Sequence, residues 1–215
     1  MRLSQLTSNE YPSYQYFNSD FSCAHNYLLP TLFRELAAFA QGRSLKIVDL
    51  GCGNGYVAAQ LAALGHTVTG VDVSTDGIAI ARAAYPHAVY HPGSVYDDDL
   101  ILKIPGPVDC VVSLEVVEHL FLPKKLFEQS HRLLADGGVL MVSTPYHGYV
   151  KNLALSLTNG WDRHFSVGWD GGHIKFFSKV SLAKMASEAG FRNIRILQVG
   201  RIPGFAKSMI MIANK

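Results

Sequence analysis

The 215-residue sequence is poor in cysteine. Its three cysteines, Cys23, Cys52 and Cys110, are widely spaced, and no Cys-x-x-Cys occurs. That speaks against a disulfide framework or a thiolate zinc site and suits a reducing, cytoplasmic setting. Charge of either sign is not in surplus: 19 lysines and arginines face 17 aspartates and glutamates, for a net charge of +2. The chain as a whole therefore carries no electrostatic footprint for nucleic acid. Uncharged apolar runs stop well short of the roughly 18 residues a membrane span needs. The first twenty residues are polar and aromatic and lack the apolar centre of a secretion signal. Internal repeats and low-complexity tracts are also missing. What is there is a globular composition, 48% apolar and 17% charged, on a length that one domain accommodates, here residues 1–215.

After an irregular aromatic segment containing Tyr11, Tyr14 and Tyr16, Leu28, Leu32, Leu36 and Phe39 recur at helical spacing, which predicts a helix over 25–40 stopped by Gly42. Residues 1–42 read as an N-terminal cap. Strands and helices then alternate. Strands are expected at 46–50, 67–73, 88–91, 108–114 and 139–143, and helices at 56–64, 76–84, 123–134 and 179–189. Two last strands, 194–199 and 208–212, are joined as a hairpin. In this reading Gly137-Gly138 ends the helix before the fifth strand. The alternation predicts an α/β fold: an open, seven-stranded, mostly parallel sheet with helices on both faces and an antiparallel end. Such sheets bind ligands beyond the carboxyl ends of their strands. Residues 145–172, without periodicity, are long for a connection and read as a lid or substrate-binding insert.

The sharpest motif is Val48-Asp49-Leu50-Gly51-Cys52-Gly53-Asn54-Gly55. A strand leads into Gly-x-Gly-x-Gly and a helix follows. Glycines let the backbone turn tightly and a ligand approach without Cβ atoms in the way, and the helix start offers free N–H groups. A dinucleotide fingerprint would need glycine at position 56, where Tyr56 stands. Asp72, at the end of the second strand, is placed to accept hydrogen bonds from a ribose; a plain turn aspartate ahead of a Ser74 helix cap is the alternative.

Glu115, Glu118 and His119 form a Glu-x-x-Glu-His cluster after the fourth strand. On a helix, positions i, i+3 and i+4 share one face. Three readings compete: solvated acids at a helix start, a general base at Glu115 or His119, and a hard divalent metal site for Mg²⁺ or Mn²⁺.

Taken in order, VDLGCGNG, GVDVS, VDCVVSLEVVEHL and LADGGVLMVSTP resemble a class I S-adenosylmethionine-dependent methyltransferase over about residues 45–214. EVVEHL, STPYHGYVKNL and GGHIKFFSKVSL are similar to the ubiquinone-pathway O-methyltransferases and related bacterial enzymes. The resemblance implies that S-adenosyl-L-methionine is held by Asp49, Gly51, Cys52, Gly53 and Gly55 at its methionine end and by Asp72 at its ribose. It places Val73, Ser94 and Val95 around the adenine and Leu114 and Glu115 at the floor of the transfer site. Small-RNA terminal 2′-O-methyltransferases also carry Glu-x-x-Glu-His with a later histidine, used for metal, although similar segments occur in class I enzymes without one; with the residue readings above, Glu115, His119 and His173 are the catalytic candidates, and Glu115, Glu118, His119 and His173 the metal candidates.

Sulfonium chemistry then requires alignment of donor and acceptor, and a hydroxyl acceptor must also lose its proton. The acid cluster suits an oxygen acceptor, which makes O-methylation of a small catechol-, quinol- or sugar-like hydroxyl compound the reading. The apolar insert suits a lipid-linked substrate, a lid over the sheet, or a homodimer contact. An RNA 2′-O-methyltransferase and a non-catalytic cofactor-binding protein are the rival readings. The near-neutral charge weighs against the first, and the intact glycine loop and acid cluster against the second.

Overall fold

The computed structural model describes residues 16, 18–20, 22–165, 168, 172–202 and 204–215. Tyr11, Tyr14 and Trp169 lie outside them. Chain order is α1 (His25–Ala40), β1 (Lys46–Leu50), α2 (Tyr56–Ala63), β2 (Thr67–Asp72), α3 (Thr75–Ala84), β3 (Val89–Pro92), β4 (Val108–Leu114), α4 (Lys124–Leu133), β5 (Leu134–Pro145), α5 (Tyr149–Leu157), α6 (Trp161–His164), α7 (Lys179–Glu188), β6 (Arg192–Val199) and β7 (Ser208–Asn214). The seven strands form one sheet in the order β3-β2-β1-β4-β5-β7-β6. β1, β2, β3, β4 and β5 run parallel, and β7 pairs antiparallel with both β5 and β6.

The near-continuous apolar strands follow from burial on both faces. Successive residues alternate between two cores: Ile47, Cys110, Val112 and Met141 pack with α1, α2 and α3, while Val48, Val111, Leu140 and Val142 pack with α4 and α7. Burial of Leu28, Leu32 and Leu36 docks α1 by the stripe its spacing predicts. Ser74 caps α3, its side chain accepting from Gly77 N–H at 3.1 Å. No helix among the described residues is long and apolar enough to cross a membrane.

Three local expectations change. Gly137 and Gly138 do not end α4, which stops at Leu133; they lie within β5, where Gly138 accepts from Lys215 N–H at 2.9 Å. The segment after β4 is not an α-helix but a short 3-10 turn, Val117–His119, so the shared-face argument for Glu115 fails. The insert, read as lacking periodicity, holds two short helices, α5 and α6.

Strand order reverses between β1 and β4, so their outgoing connections part and leave a crevice at the carboxyl edge. The glycine loop after β1 and the acidic turn after β4 flank it.

Candidate active site

The loop after β1 is built on left-handed backbone: Gly51, Gly53 and Gly55 have φ of 81°, 53° and 82°. Residues with a Cβ are disfavoured there. The loop is also crowded. A Cβ on Gly51 would lie 3.0 Å from Val116 Cγ1, and one on Gly55 would lie 2.6 Å from Ala81 Cβ. Val116 thus ties the acidic turn to the loop. Beneath, Asp49 is buried and its Oδ2 has no partner; burial, then Asp72, pushes its carboxyl up to about 7. Cys52 is buried among these acids, its thiol pushed up, so it is inert packing.

Asp72 is buried and its two oxygens accept from Gly53 N–H at 2.8 Å and Ser74 N–H at 2.7 Å. Burial raises its pKa, and these amide bonds oppose the rise. The carboxylate therefore already positions the loop. Gly93 N–H donates to Asp72 O at 2.9 Å, which brings Ser94 and buried Val95 alongside. The Ser94 hydroxyl is engaged by Tyr96 N–H at 3.1 Å, so it shapes its own turn. Val73 is 42% exposed at the rim.

This cradle fits an adenosyl cofactor: bare glycine backbone faces a buried carboxylate at the switch point of the sheet. Asp72→Ala should weaken S-adenosylhomocysteine binding by about 1.5–3 kcal/mol, the scale of hydrogen bonds to a charged group. Calorimetry with unchanged affinity would remove Asp72 from the ribose site.

Across the crevice, β4 ends at Leu114, half-buried, and Glu115 enters the left-handed region with φ 55°. Such a conformation costs about 1–3 kcal/mol and persists only where surroundings impose it. Here Glu115 N–H donates to Ser143 O and Ser143 Oγ at 3.2 and 3.0 Å. Its Oε1 and Oε2 accept from the Ser143 and Ser208 hydroxyls at 2.7 and 3.2 Å. Burial pushes the carboxyl up to about 7 against these bonds. Ser143 and Ser208 were missed from sequence. Their signal is a serine closing the apolar run Val139–Val142 of β5 and another opening the apolar run Met209–Ala213 of β7.

Glu118, His119 and His173 come together: one donor atom from each lies within 4.8 Å of the others. Glu118 is fully buried and neither oxygen accepts a well-formed hydrogen bond, its polar neighbours being the Thr144 hydroxyl and His173. Its pKa is pushed well above the usual carboxylate range by burial and then by Glu115. The solvated-acid reading is thereby corrected for Glu118. His119 Nδ1 lies 3.2 Å from Gly172 O. A carbonyl only accepts, so Nδ1 carries a proton, which makes Nε2 the ring atom that could ligate. His173 Nε2 is 4.0 Å from Glu118 Oε1, and burial, then His119, lowers its pKa to about 4, which keeps the ring neutral. What brings His173 here is main chain: Ile174 and Lys175 N–H both donate to Glu118 O, at 2.9 and 3.0 Å.

One buried carboxyl group and two imidazoles, that of His173 held neutral, fit a divalent cation, whose charge would offset the desolvation of Glu118. Glu115 is not part of that donor group, because its oxygens are turned to the two serines.

The rings of His147, His164, Phe165 and Phe176 pack on one another at 4.5–5.7 Å between centroids. They anchor the insert to the segment that carries His173.

The family described as a methyltransferase domain matches residues 24–196. A ubiquinone biosynthesis O-methyltransferase of Thiobacillus denitrificans is 30% identical over 181 residues, covering 80% of this chain and 75% of that protein. One from a Caulobacter species is 36% identical over 119 residues, covering 52% of this chain, and the match spans less than half, 45%, of that relative's length. Among solved structures, the magnesium protoporphyrin IX methyltransferase of Synechocystis with bound SAH has a TM-score of 0.66 at 18% identity, covering 87% of this chain and 81% of that one. An S-adenosylmethionine-dependent methyltransferase of Mesorhizobium loti has a TM-score of 0.64 at 19% identity, with 85% and 97% covered.

Proposed function

We infer that this chain, which belongs to the S-adenosylmethionine-dependent methyltransferase family, transfers the methyl group to a hydroxyl oxygen of a small molecule with an apolar tail. The observation that carries the oxygen reading is Glu118, a buried carboxyl without a well-formed hydrogen bond beside His119 and His173. An amine acceptor reacts through its own lone pair and has little use for such a group. A hydroxyl needs help to lose its proton.

When bound, S-adenosylmethionine supplies an electrophilic methyl on a sulfonium. The glycine loop and Asp72 hold it in line with the crevice. Glu118, His119 and His173 would hold Mg²⁺ or Mn²⁺, which lowers the pKa of a coordinated hydroxyl. Glu115, with its carboxyl near 7 and its geometry locked by Ser143 and Ser208, accepts the released proton near neutral pH. That carboxyl also supports a second reading, in which Glu115 or His119 acts as a base without metal.

The tail is supported by the mouth of the site. α5 buries none of its residues; Tyr149 is 80% and Leu157 78% exposed. Phe121, Ile202 and Phe205 are exposed on neighbouring connections. Residues 145–157, 172–176 and 200–207 contain Lys151, Lys175, Arg201 and Lys207 and no acid. An apolar face with a basic rim suits a lipid-linked acceptor.

A transfer assay with labelled S-adenosylmethionine on alkylated catechols and quinols, sugar diols and an RNA oligomer tests the proposal. Methyl ethers should form on the alkylated catechol or quinol, and faster than on its tail-less analogue. Methylation confined to nitrogen, or to the RNA ribose, would overturn it.

A further inference from the structure

We propose that Ser208 and Tyr27 form a two-hydroxyl relay that carries the proton released in each turnover from Glu115 to the outer side of α1. The proposal rests on the reading of Glu115 as the proton acceptor of an oxygen methylation.

Each oxygen of Glu115 has one hydroxyl partner. Ser143 Oγ donates to Oε1 at 2.7 Å, and Ser208 Oγ donates to Oε2 at 3.2 Å. The two serines differ in what stands behind them. Ser143 Oγ accepts from Glu115 N–H at 3.0 Å, so its bonds return to the same residue and lead nowhere. Ser208 Oγ instead lies 3.4 Å from the Tyr27 hydroxyl, on α1. A serine has one proton to give, and that of Ser208 is committed to Glu115. The Tyr27 hydroxyl is therefore the donor in the outer bond. That bond is long, as catalytic hydrogen bonds commonly are before the reacting complex forms and tightens them. The two hydroxyls lie 181 positions apart in the chain, and no motif joins them.

The surroundings give the chain of bonds a direction. A bound acceptor covers the crevice side of the Glu115 carboxyl, and Ser143 and Ser208 are buried behind it. Tyr27 is half-buried, and the ammonium of exposed Lys207 stands 5.1 Å from its ring centroid, so this end of the relay reaches the surface. Fully buried Leu28 and Leu32 dock α1 and fix the tyrosine's place. Gly200, after β6, leaves room for the ring: an added Cβ would lie 3.1 Å from Tyr27 Cδ2. The ionisable groups that act on Glu115 are Lys151 of α5, Glu118 after β4 and Tyr27 itself.

The acceptor hydroxyl gives its proton to Glu115 as its oxygen is methylated. Glu115 then passes that proton to Ser208 Oγ, the Ser208 proton moves to the Tyr27 oxygen, and the Tyr27 proton goes to water. One O–H bond breaks and one forms at each hop, and both hydroxyls end neutral. They rotate back before the next turnover. Neither touches the reacting atoms, so both are positioning residues that act through Glu115.

The test is rapid-quench transfer from labelled S-adenosylmethionine, with Mn²⁺ present, to the alkylated catechol or quinol that the wild type methylates. Tyr27→Phe keeps the ring and loses only the hydroxyl. At pH above about 7 Glu115 starts unprotonated, so the first turnover should run at the wild-type rate. Later turnovers should slow by about tenfold or more, within the scale that positioned proton transfer commands. Product should therefore appear as a burst equal to the enzyme present, followed by a slow phase with a larger solvent deuterium isotope effect than the wild type shows. Affinity for S-adenosylhomocysteine should stay unchanged. Ser208→Ala should give the same slow phase after a slower first turnover, because it also frees one oxygen of Glu115. Circular dichroism and melting curves check that both variants fold. A wild-type steady rate in Tyr27→Phe would overturn the relay, and so would a first turnover slowed as much as the later ones, which marks a structural role. Failure of the underlying reading is a separate result. Wild-type transfer by Glu115→Gln would remove the base, and a wild type that forms no ether on any acceptor of the panel would remove the oxygen reading; each takes the relay with it.

Discussion

Gly53→Val is expected to abolish measurable S-adenosylhomocysteine binding while the sheet stays folded. Two costs add at this position. The backbone has φ 53°, where a β-branched residue is a genuine outlier. A left-handed residue with a Cβ loses about 1–2 kcal/mol even without crowding. The new side chain must also enter the space between the loop and Tyr16, within 3 Å of two ring carbons and the hydroxyl oxygen. Either Tyr16 leaves or the loop does, and both dismantle the seat. The two cores are far less exposed to the change, since Ile47, Val48, Val111 and Met141 are buried by contacts that do not include Gly53.

Gly65→Val is the matching control. Gly65 has φ 89° and nothing within 4 Å of its added Cβ. That variant should lose stability through strain alone and bind S-adenosylhomocysteine like wild type. Calorimetry at matched folded fraction separates the two, and wild-type affinity in Gly53→Val would remove the loop from the site.

The second large effect is expected at Glu118. A chelator should abolish transfer by the wild type, and Mn²⁺ should restore it better than Mg²⁺, because two of the three donors are imidazoles. Glu118→Gln should lose the metal-dependent rate and keep S-adenosylhomocysteine affinity, since the loop and Asp72 are untouched. Its metal-free form should be at least as stable as the metal-free wild type. A buried carboxylate without a well-formed hydrogen bond burdens the fold, and a neutral side chain of the same shape relieves that. Mn²⁺ should raise the melting temperature of the wild type and leave that of Glu118→Gln unmoved. A purely structural Glu118 predicts the reverse on stability: a lower melting temperature in the variant. Chelator-insensitive transfer that is lost in Glu115→Gln or His119→Ala would discard the metal and keep the base.

The Gly-x-Gly-x-Gly loop, the acid after β2 and the alternating elements were legible because each depends on local rules: which residues tolerate positive φ, which cap a helix, and what period an element buries. The apolar runs at 46–50 and 108–114 imply strands covered on both faces, and the hairpin at the end implies the antiparallel edge. Boundaries were less secure where turn and strand chemistry overlap. Gly137-Gly138 reads as a helix stop, yet pairing with β4 and β7 draws both glycines into β5.

Long-range contacts decided the rest. Glu-x-x-Glu-His looks like one helical face, but the two Ser143 bonds to Glu115 N–H hold that residue left-handed and turn its carboxylate away from Glu118. His173 joins the cluster through main-chain bonds from Ile174 and Lys175 to Glu118 O, which no side-chain pattern encodes. Tyr16 reaches Gly53 because Asn54 and Tyr85 bind the backbone oxygens of residues 18–20. The chain by itself therefore determined the sheet and the glycine-loop crevice proposed to hold the cofactor. The chemistry facing that seat was decided by tertiary structure, because backbone donors and acceptors are the same in every residue and only the fold determines which of them meet.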